Sequence, residues 1–282
     1  MAISYSLGAT NNDTIVIDRT RATDPISATL LLVIQNQGTS TMYYKITETS
    51  GAWSISSPTN GELGSVSSGY KSGRKITLQR ALPTSDTIET VTFTLEAYSD
   101  SGYTNLVEST TFSITFVIAD IHSWPSYTKY DFDDGTSQGW SFDPSLYMTV
   151  SASKSITAGG YSVALTGSGY QQYTLTKSET LPSNSRVVMM LYYNVGSEYS
   201  IRKLHYIAIK VNGNTVFQAG VYDLPQVSTS GFIATDHTTT WDMIGVDLSD
   251  YAGQSVTIDI VVSAEGGYTY LDDIIIAGTN AL

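Results

Sequence analysis

The feature that most constrains this chain is a strict alternation of apolar and polar residues. Val91-Thr92-Phe93-Thr94-Leu95-Glu96-Ala97-Tyr98 shows it, and Phe112-Ser113-Ile114-Thr115-Phe116-Val117-Ile118 repeats it. Successive side chains of an extended strand point to opposite faces, so such a segment is satisfied with one face on a core and the other on water. A helix would scatter the same residues around its circumference. Composition agrees: only 14% of residues are charged, 11% are aromatic, and the polarity comes from Ser and Thr hydroxyls. β-Branched and aromatic residues with few Lys and Glu favour pleated surfaces over helices. The expected class is all-β.

Further strand signals in the first half fall at 14–18, 28–35, 42–47, 53–56 and 75–79, separated by turn clusters such as Asn36-Gln37-Gly38-Thr39-Ser40 and Ser57-Pro58-Thr59-Asn60-Gly61. Short strands at this density describe a small sandwich. The alternation breaks at Asp120-Ile121-His122-Ser123-Trp124-Pro125-Ser126-Tyr127, which places a domain over residues 1–122, a linker over 123–127 and a second domain over 128–282. Strand signals resume at 128–132, 147–152, 161–166, 172–176, 186–194, 204–211, 215–219, 240–247, 256–262 and 270–276, without a convincing amphipathic helix. That density suits a jelly roll. Asn212-Gly213-Asn214 between two strand signals reads as a hairpin, because Asn-Gly accepts positive φ.

The net charge of −12 repels phosphate backbones and anionic headgroups, so nucleic acid is not an expected partner. Most of the acidity lies in residues 123–282, at −8 against −4 for residues 1–122. The longest apolar run, from Val187 to Tyr193, is far too short for a helix to cross a bilayer. Cysteine is absent, which removes disulfides, thiolate metal sites and Cys nucleophiles. The opening Met1-Ala2-Ile3-Ser4-Tyr5-Ser6-Leu7-Gly8 has neither the basic nor the apolar region of a secretory signal, so the expectation is either that the protein is not exported by that route or that a leader is missing from this sequence. His122, His205 and His237 show no zinc-binding spacing, and there is no G-x-S-x-G elbow, dinucleotide fingerprint or P-loop. An enzyme is not expected.

Two acidic segments stand out. One is Asp131-Phe132-Asp133-Asp134-Gly135, followed by Gln138-Gly139-Trp140; the other is Tyr270-Leu271-Asp272-Asp273-Ile274. First and last strands of a jelly roll are commonly neighbours, and carboxylates brought together need a cation among them. With Gly159-Gly160-Tyr161-Ser162-Val163-Ala164-Leu165 and the stretch from Trp241 through Val246-Asp247-Leu248-Ser249-Asp250-Tyr251-Ala252-Gly253-Gln254-Ser255-Val256, these segments resemble the galactose-binding-like jelly roll of non-catalytic carbohydrate-binding modules. The resemblance implies a structural Ca²⁺ held by Asp131, Asp133 and Asp273, with backbone oxygen near Gly159 or Ser162. It also implies glycan binding. Aromatic faces suit the C–H surface of a pyranose, and Tyr170, Tyr199, Tyr222, Phe232 and His237 with Asp236 are the candidates, beside Tyr147, Tyr206 and Asp223. Trp140 and Trp241 read as core. The first half resembles an immunoglobulin-like sandwich, chiefly through Leu30-Leu31-Leu32-Val33-Ile34-Gln35-Asn36-Gln37-Gly38-Thr39-Ser40.

These readings converge on a non-enzymatic structural protein of a virion surface, of the capsid-decoration, spike or turret type. One domain would assemble with other structural proteins of the particle, and a lectin-like domain would project toward host glycans. The alternative is the carbohydrate-binding portion of a secreted or cell-surface protein, an adhesin or surface-layer component. Either location is outside the cell. Thr- and Val-rich edge strands with few Lys gatekeepers point to a homo-oligomer.

Overall fold

The computed structural model describes residues 3–7, 14–22, 24–49, 51–167, 170–195, 204–220, 241–265 and 269–282. In chain order the first half contains β1 (Ile3–Leu7), β2 (Thr14–Asp18), β3 (Ile26–Asn36), β4 (Met42–Glu48), β5 (Ser54–Ser57), β6 (Glu62–Val66), β7 (Lys71–Arg80), β8 (Thr87–Tyr98) and β9 (Leu106–Ala119). The second half contains β10 (Ser126–Tyr130), β11 (Ser141–Asp143), β12 (Met148–Ser151), β13 (Ser162–Leu165), β14 (Tyr170–Thr180), β15 (Arg186–Val195), β16 (Leu204–Val211), β17 (Asn214–Gly220), β18 (Asp242–Asp247), β19 (Ser255–Glu265) and β20 (Thr269–Thr279). Helix among the described residues is limited to four single 3₁₀ turns. The fold is all-β, as the alternation requires.

The first half is a sandwich of two sheets, ordered β1-β3-β7-β5 and β2-β9-β8-β4-β6. That two-sheet architecture is the part of the immunoglobulin-like expectation that the structure bears out. Its core takes the apolar half of each alternation: Val91, Phe93 and Leu95 of β8 and Phe112, Ile114 and Phe116 of β9 face Leu30, Leu32 and Ile34 of β3. Trp53 stacks on Phe116 with ring centroids 4.2 Å apart. The polar half forms a hydroxyl face, in which Thr90 bonds Thr115 at 3.1 Å and Thr92 bonds Ser113 at 3.0 Å.

The second half is a jelly-roll sandwich. One sheet runs β12-β13-β20-β15-β18 with β10 also paired to β20, and the other runs β11-β14-β19-β16-β17. The first strand of this half therefore lies on its last, Tyr130 opposite Ile274. Asn212 and Gly213 have φ of 51° and 79°, the two positive values that a tight β16–β17 hairpin needs.

The two sandwiches are packed face to face. Along β15, Val187, Met189, Leu191 and Tyr193 enter the jelly-roll core, while Val188, Met190 and Tyr192 point the other way into a second apolar layer. That layer is completed by Ile275 and Ala277 of β20 and by Val16, Val117, Ala119, Ile121 and Trp124 from the first half and the junction. The unbroken run Val187 to Tyr193 is the signature of a strand buried on both faces. Residues 123–127, expected as a linker, are correspondingly tied down: Trp124 is buried in the seam and β10 begins at Ser126.

The closest approach is between β18 and β2. A Cβ added at Gly245 would lie 2.4 Å from the carbonyl oxygen of Val16, a backbone atom that cannot rotate away. Gly245→Ala is therefore expected to force the sheets apart and to cost about 1–3 kcal/mol, the usual penalty of overpacking. Urea denaturation with limited proteolysis at residues 119–126 checks this; unchanged stability and unchanged cleavage would show that the seam tolerates separation.

Candidate functional site

The acidic pair near the start of the chain's last strand owes its position to a β-bulge. Between Met190↔Ile275 and Tyr192↔Asp272 the strand β20 carries one more residue than β15, and Asp273 takes the extra place with φ of 44°. Both carboxylates are thereby buried, Asp272 and Asp273 each at 1% exposure. Asp272 accepts the backbone N–H groups of Ile156 at 2.9 Å and of Asp273 at 2.8 Å. Burial pushes its carboxyl up to about 7, with the charges of Asp273 and Asp133 adding to that and the two backbone bonds opposing it.

Asp273 is neutralised by cations of the chain itself. The Arg21 guanidinium donates to Oδ2 at 2.8 Å, and the Lys129 ammonium stands 2.8 Å from Oδ1 and 3.8 Å from Asp131. The Lys129 contact is an ion pair without hydrogen-bond alignment, so Oδ1 makes no directed bond. Asp131 Oδ1 accepts from the Asp133 N–H at 3.2 Å and from Gln138 Nε2 at 3.1 Å, and Asp133 Oδ1 accepts from the Tyr161 N–H at 2.9 Å.

The three residues expected to hold Ca²⁺ are thus neighbours, but they do not fit the ion. Ca²⁺ takes six to eight oxygens. Asp273 faces Arg21 and Lys129 instead, Asp133 is turned toward Tyr161, and among the described residues no three acidic or His groups converge as a ligand set. The cation that the clustered carboxylates require is Lys129, two residues before the acidic turn.

Arg21 links this cluster to a second buried carboxylate across the seam. Asp18 accepts the N–H and hydroxyl of Thr20 at 2.9 and 2.6 Å, the Tyr192 hydroxyl at 2.9 Å, and a bond with His122 Nε2 at 2.9 Å. His122 Nδ1 bonds the Tyr127 hydroxyl at 2.8 Å, and the Arg21 guanidinium lies 4.6 Å from the centre of the Tyr192 ring. Burial alone would raise the Asp18 carboxyl, but the bonds from Thr20, His122 and Tyr192 outweigh it and the net shift is downward. His122, which reads from sequence as an incidental loop residue, is a strut between the two halves.

The end of the second sandwich opposite the hairpin at Asn212 carries the backbones of Tyr147, Tyr170 and Tyr206. Tyr170 pairs with Glu265, Leu204 with Ala264, Tyr206 with Gly220, Val195 with Thr269 and Tyr193 with Asp242. These registers bring the ends of seven strands to one rim, and the connections 168–169, 196–203, 221–240 and 266–268 leave from it. Tyr170 opens β14 and Tyr206 is the third residue of β16 there, although their side chains, with Tyr199, Tyr222, Asp223, Phe232, Asp236 and His237, lie outside the described residues. Tyr147 stands at the same end, half-buried against the jelly-roll core, where its carbonyl accepts the Thr166 N–H at 2.8 Å and Met148 pairs with Leu165 opposite Thr269.

Three rim residues escape sequence reasoning. Lys154 donates to the buried Asn194 Oδ1 at 2.8 Å and stands 5.7 Å from the centre of the half-buried Tyr270 ring. The signal was present only in part: Asn194 follows the apolar run of β15, and Tyr270 opens the acidic strand motif. Trp140 is core as expected. Trp241 is not; it is half-buried at the seam, because β18 begins one residue later at the rim.

No family model matches the chain, and no curated protein matches it. Solved structures resemble parts of it. A carbohydrate-binding module in complex with β-1,4-galactotriose is 14% identical and covers 52% of this chain and 92% of its own, with a TM-score of 0.39. The K1 cleaved adhesin domain of Lys-gingipain from Porphyromonas gingivalis W83 is 16% identical over 55% of this chain and 99% of its own, with a TM-score of 0.39. A family 35 carbohydrate-binding module from Clostridium thermocellum is 16% identical over 55% and 99%, with a TM-score of 0.34.

Two outcomes follow from the charge cluster. EDTA followed by excess Ca²⁺ is expected to leave the melting temperature unchanged, whereas Lys129→Met, which leaves Asp273 with one cation, should cost about 1–3 kcal/mol; a melting temperature raised by Ca²⁺ would reverse this assignment. A depressed folded pKa stabilises above the unfolded value of 3.8 and is lost as pH falls through the folded pKa. Asp18→Asn should therefore be less stable than the parent at neutral pH, with the gap closing below pH 3.8; thermal melts across that window would show a constant gap if the Asp18 charge contributed nothing.

Proposed function

We propose that this chain is a non-enzymatic recognition protein that binds glycans through the rim of its second sandwich. The observation that carries this reading is the convergence of seven strand ends on one rim, where Tyr147, Tyr170 and Tyr206 have their backbones. Lys154, held by the buried Asn194, and the half-buried Tyr270 supply a charged donor and an aromatic ring there. An aromatic face for the C–H surface of a sugar beside hydrogen-bonding groups for its hydroxyls is the chemistry that saccharide binding needs.

In its finer form the proposal places the chain on the outside of a virus particle. The first sandwich then meets the other structural proteins of the particle, and the rim faces outward. The acidic, cysteine-free composition and the packed seam, which holds the rim at a fixed orientation, support that setting. Self-association would raise the avidity of weak single-sugar contacts.

Glycan-array binding is the test. Tyr270→Ala and Lys154→Ala are expected to weaken any hit about three- to tenfold, the worth of one aromatic or cation contact, in protein shown to be folded by a cooperative melt. An array without hits, or hits indifferent to both substitutions, would remove the rim from consideration.

A further inference from the structure

A cleft of about 350 Å³ opens at the seam, and neither sandwich forms it alone. Ile17, Arg21, Ala22, Ile26 and Ser27 line one side, and Ile156, Tyr192, Trp241 and Met243 line the other. Ligand clefts favour such junctions, and about 300–1,000 Å³ is their usual range, so this one has the size for a small unit rather than a polymer chain.

The walls define what fits. Among the described residues Trp241, half-buried, is the aromatic surface that the cleft offers, since the Tyr192 ring is covered by the Arg21 guanidinium at 4.6 Å and its hydroxyl is given to Asp18. Ile17, Ile26, Ile156 and Met243 make the rest of the lining apolar. Polar capacity lies with Arg21, the Trp241 indole N–H and the exposed Ser27, whose Oγ accepts one bond from Gln79 at 3.2 Å and keeps a second lone pair, because Asp18 already accepts four bonds. Arg21 uses one Nη for Asp273 and leaves its side chain 33% exposed. Its charge is not available for an anion. Asp273 at 2.8 Å and Asp18 at 3.9 Å already balance it, and the chain as a whole is strongly acidic. What remains is a set of N–H donors beside an aliphatic wall and an indole face.

We propose that this cleft binds the acetamido group and ring of a neutral N-acetylhexosamine. The carbonyl oxygen accepts from Arg21, the amide N–H has the Ser27 hydroxyl as partner, the methyl enters the Ile17–Ile26–Met243 wall, and the pyranose C–H face lies on Trp241. A plain hexose cannot use the aliphatic wall, and an N-acetylated sugar acid meets the carboxylates behind Arg21. This assignment rests on the glycan-binding reading, but it concerns the cleft between the sandwiches, which meets the rim only at Trp241.

The experiment titrates the full chain with N-acetylglucosamine, N-acetylgalactosamine, glucose, galactose and N-acetylneuraminic acid, following tryptophan fluorescence and heat. The parent is expected to bind the two neutral acetamido sugars at least tenfold more tightly than the hexoses and the acid. Trp241→Leu and Ala22→Trp, the second of which plugs the cleft while keeping every seam hydrogen bond, should each reduce that binding about tenfold or more in protein that still melts in one cooperative transition. Tyr270→Ala should leave it intact. Acetamido binding that disappears in Tyr270→Ala but survives both cleft variants overturns the inference and leaves the rim reading standing. Equal binding of hexoses overturns the acetamido assignment, and an absence of binding to all five sugars overturns the cleft as a saccharide site while the glycan array still decides the rim.

Discussion

The structure depends on one strand being buried on both sides. β15 places alternate residues in the jelly-roll core and in the layer beneath the first sandwich, so removing either partner would expose Val188, Met190 and Tyr192 or their counterparts to water. Buried apolar side chains are each worth about 1.5–3 kcal/mol relative to exposure. Sheets that bury such a strand cannot slide freely, and polar groups trapped between them must find partners. The Asp18 and Asp273 clusters are the consequence. Their bonds join residues 104 to 252 positions apart, Asp18 to His122 and Arg21 to Asp273, which turns two sandwiches into one packed body.

Charge in the seam is organised around neutralisation. Each buried carboxylate meets hydrogen-bond donors or cations, and the bulge at Asp273 lets β20 present two acids at one level. Unpaired buried charge is expensive, whereas pairing gives register and orientation. The same pairing sets the chemistry of the cleft above it, since an arginine already balanced by two aspartates donates hydrogen bonds without attracting anions.

Much of this was legible beforehand, for identifiable reasons. Alternation located β8 and β9, turn chemistry located the Asn212-Gly213 hairpin, and the resemblance placed β10 beside β20. The strands that escaped, β1, β6 and β11, are three to five residues long, and β6 carries Gly64 in its middle, so periodicity had little to act on. The occupant of the acidic cluster was not legible, because Arg21 reaches it from the far side of the seam. Trp241 was misread for the same reason. A half-buried tryptophan differs from a core one only through what stands opposite it, and what stands opposite belongs to the other sandwich. The run from Val187 to Tyr193 was visible as too short for a membrane, but its use as a two-faced strand depended on a partner sheet some seventy or more residues upstream.

The pairing of β10 with β20 has a consequence for how the protein is made. The first sandwich is complete once β9 has been synthesised, and domains generally fold as they emerge, N-terminal first. The second sandwich cannot close until β20, which sits at its centre between β10, β13 and β15, has left the ribosome. During that interval Val16, Val117 and Ala119 are a finished but uncovered sticky patch on a nascent chain. Synthesis of this protein thus contains a built-in waiting period, in which chaperones or neighbouring chains compete for a surface that the completed molecule will claim for itself.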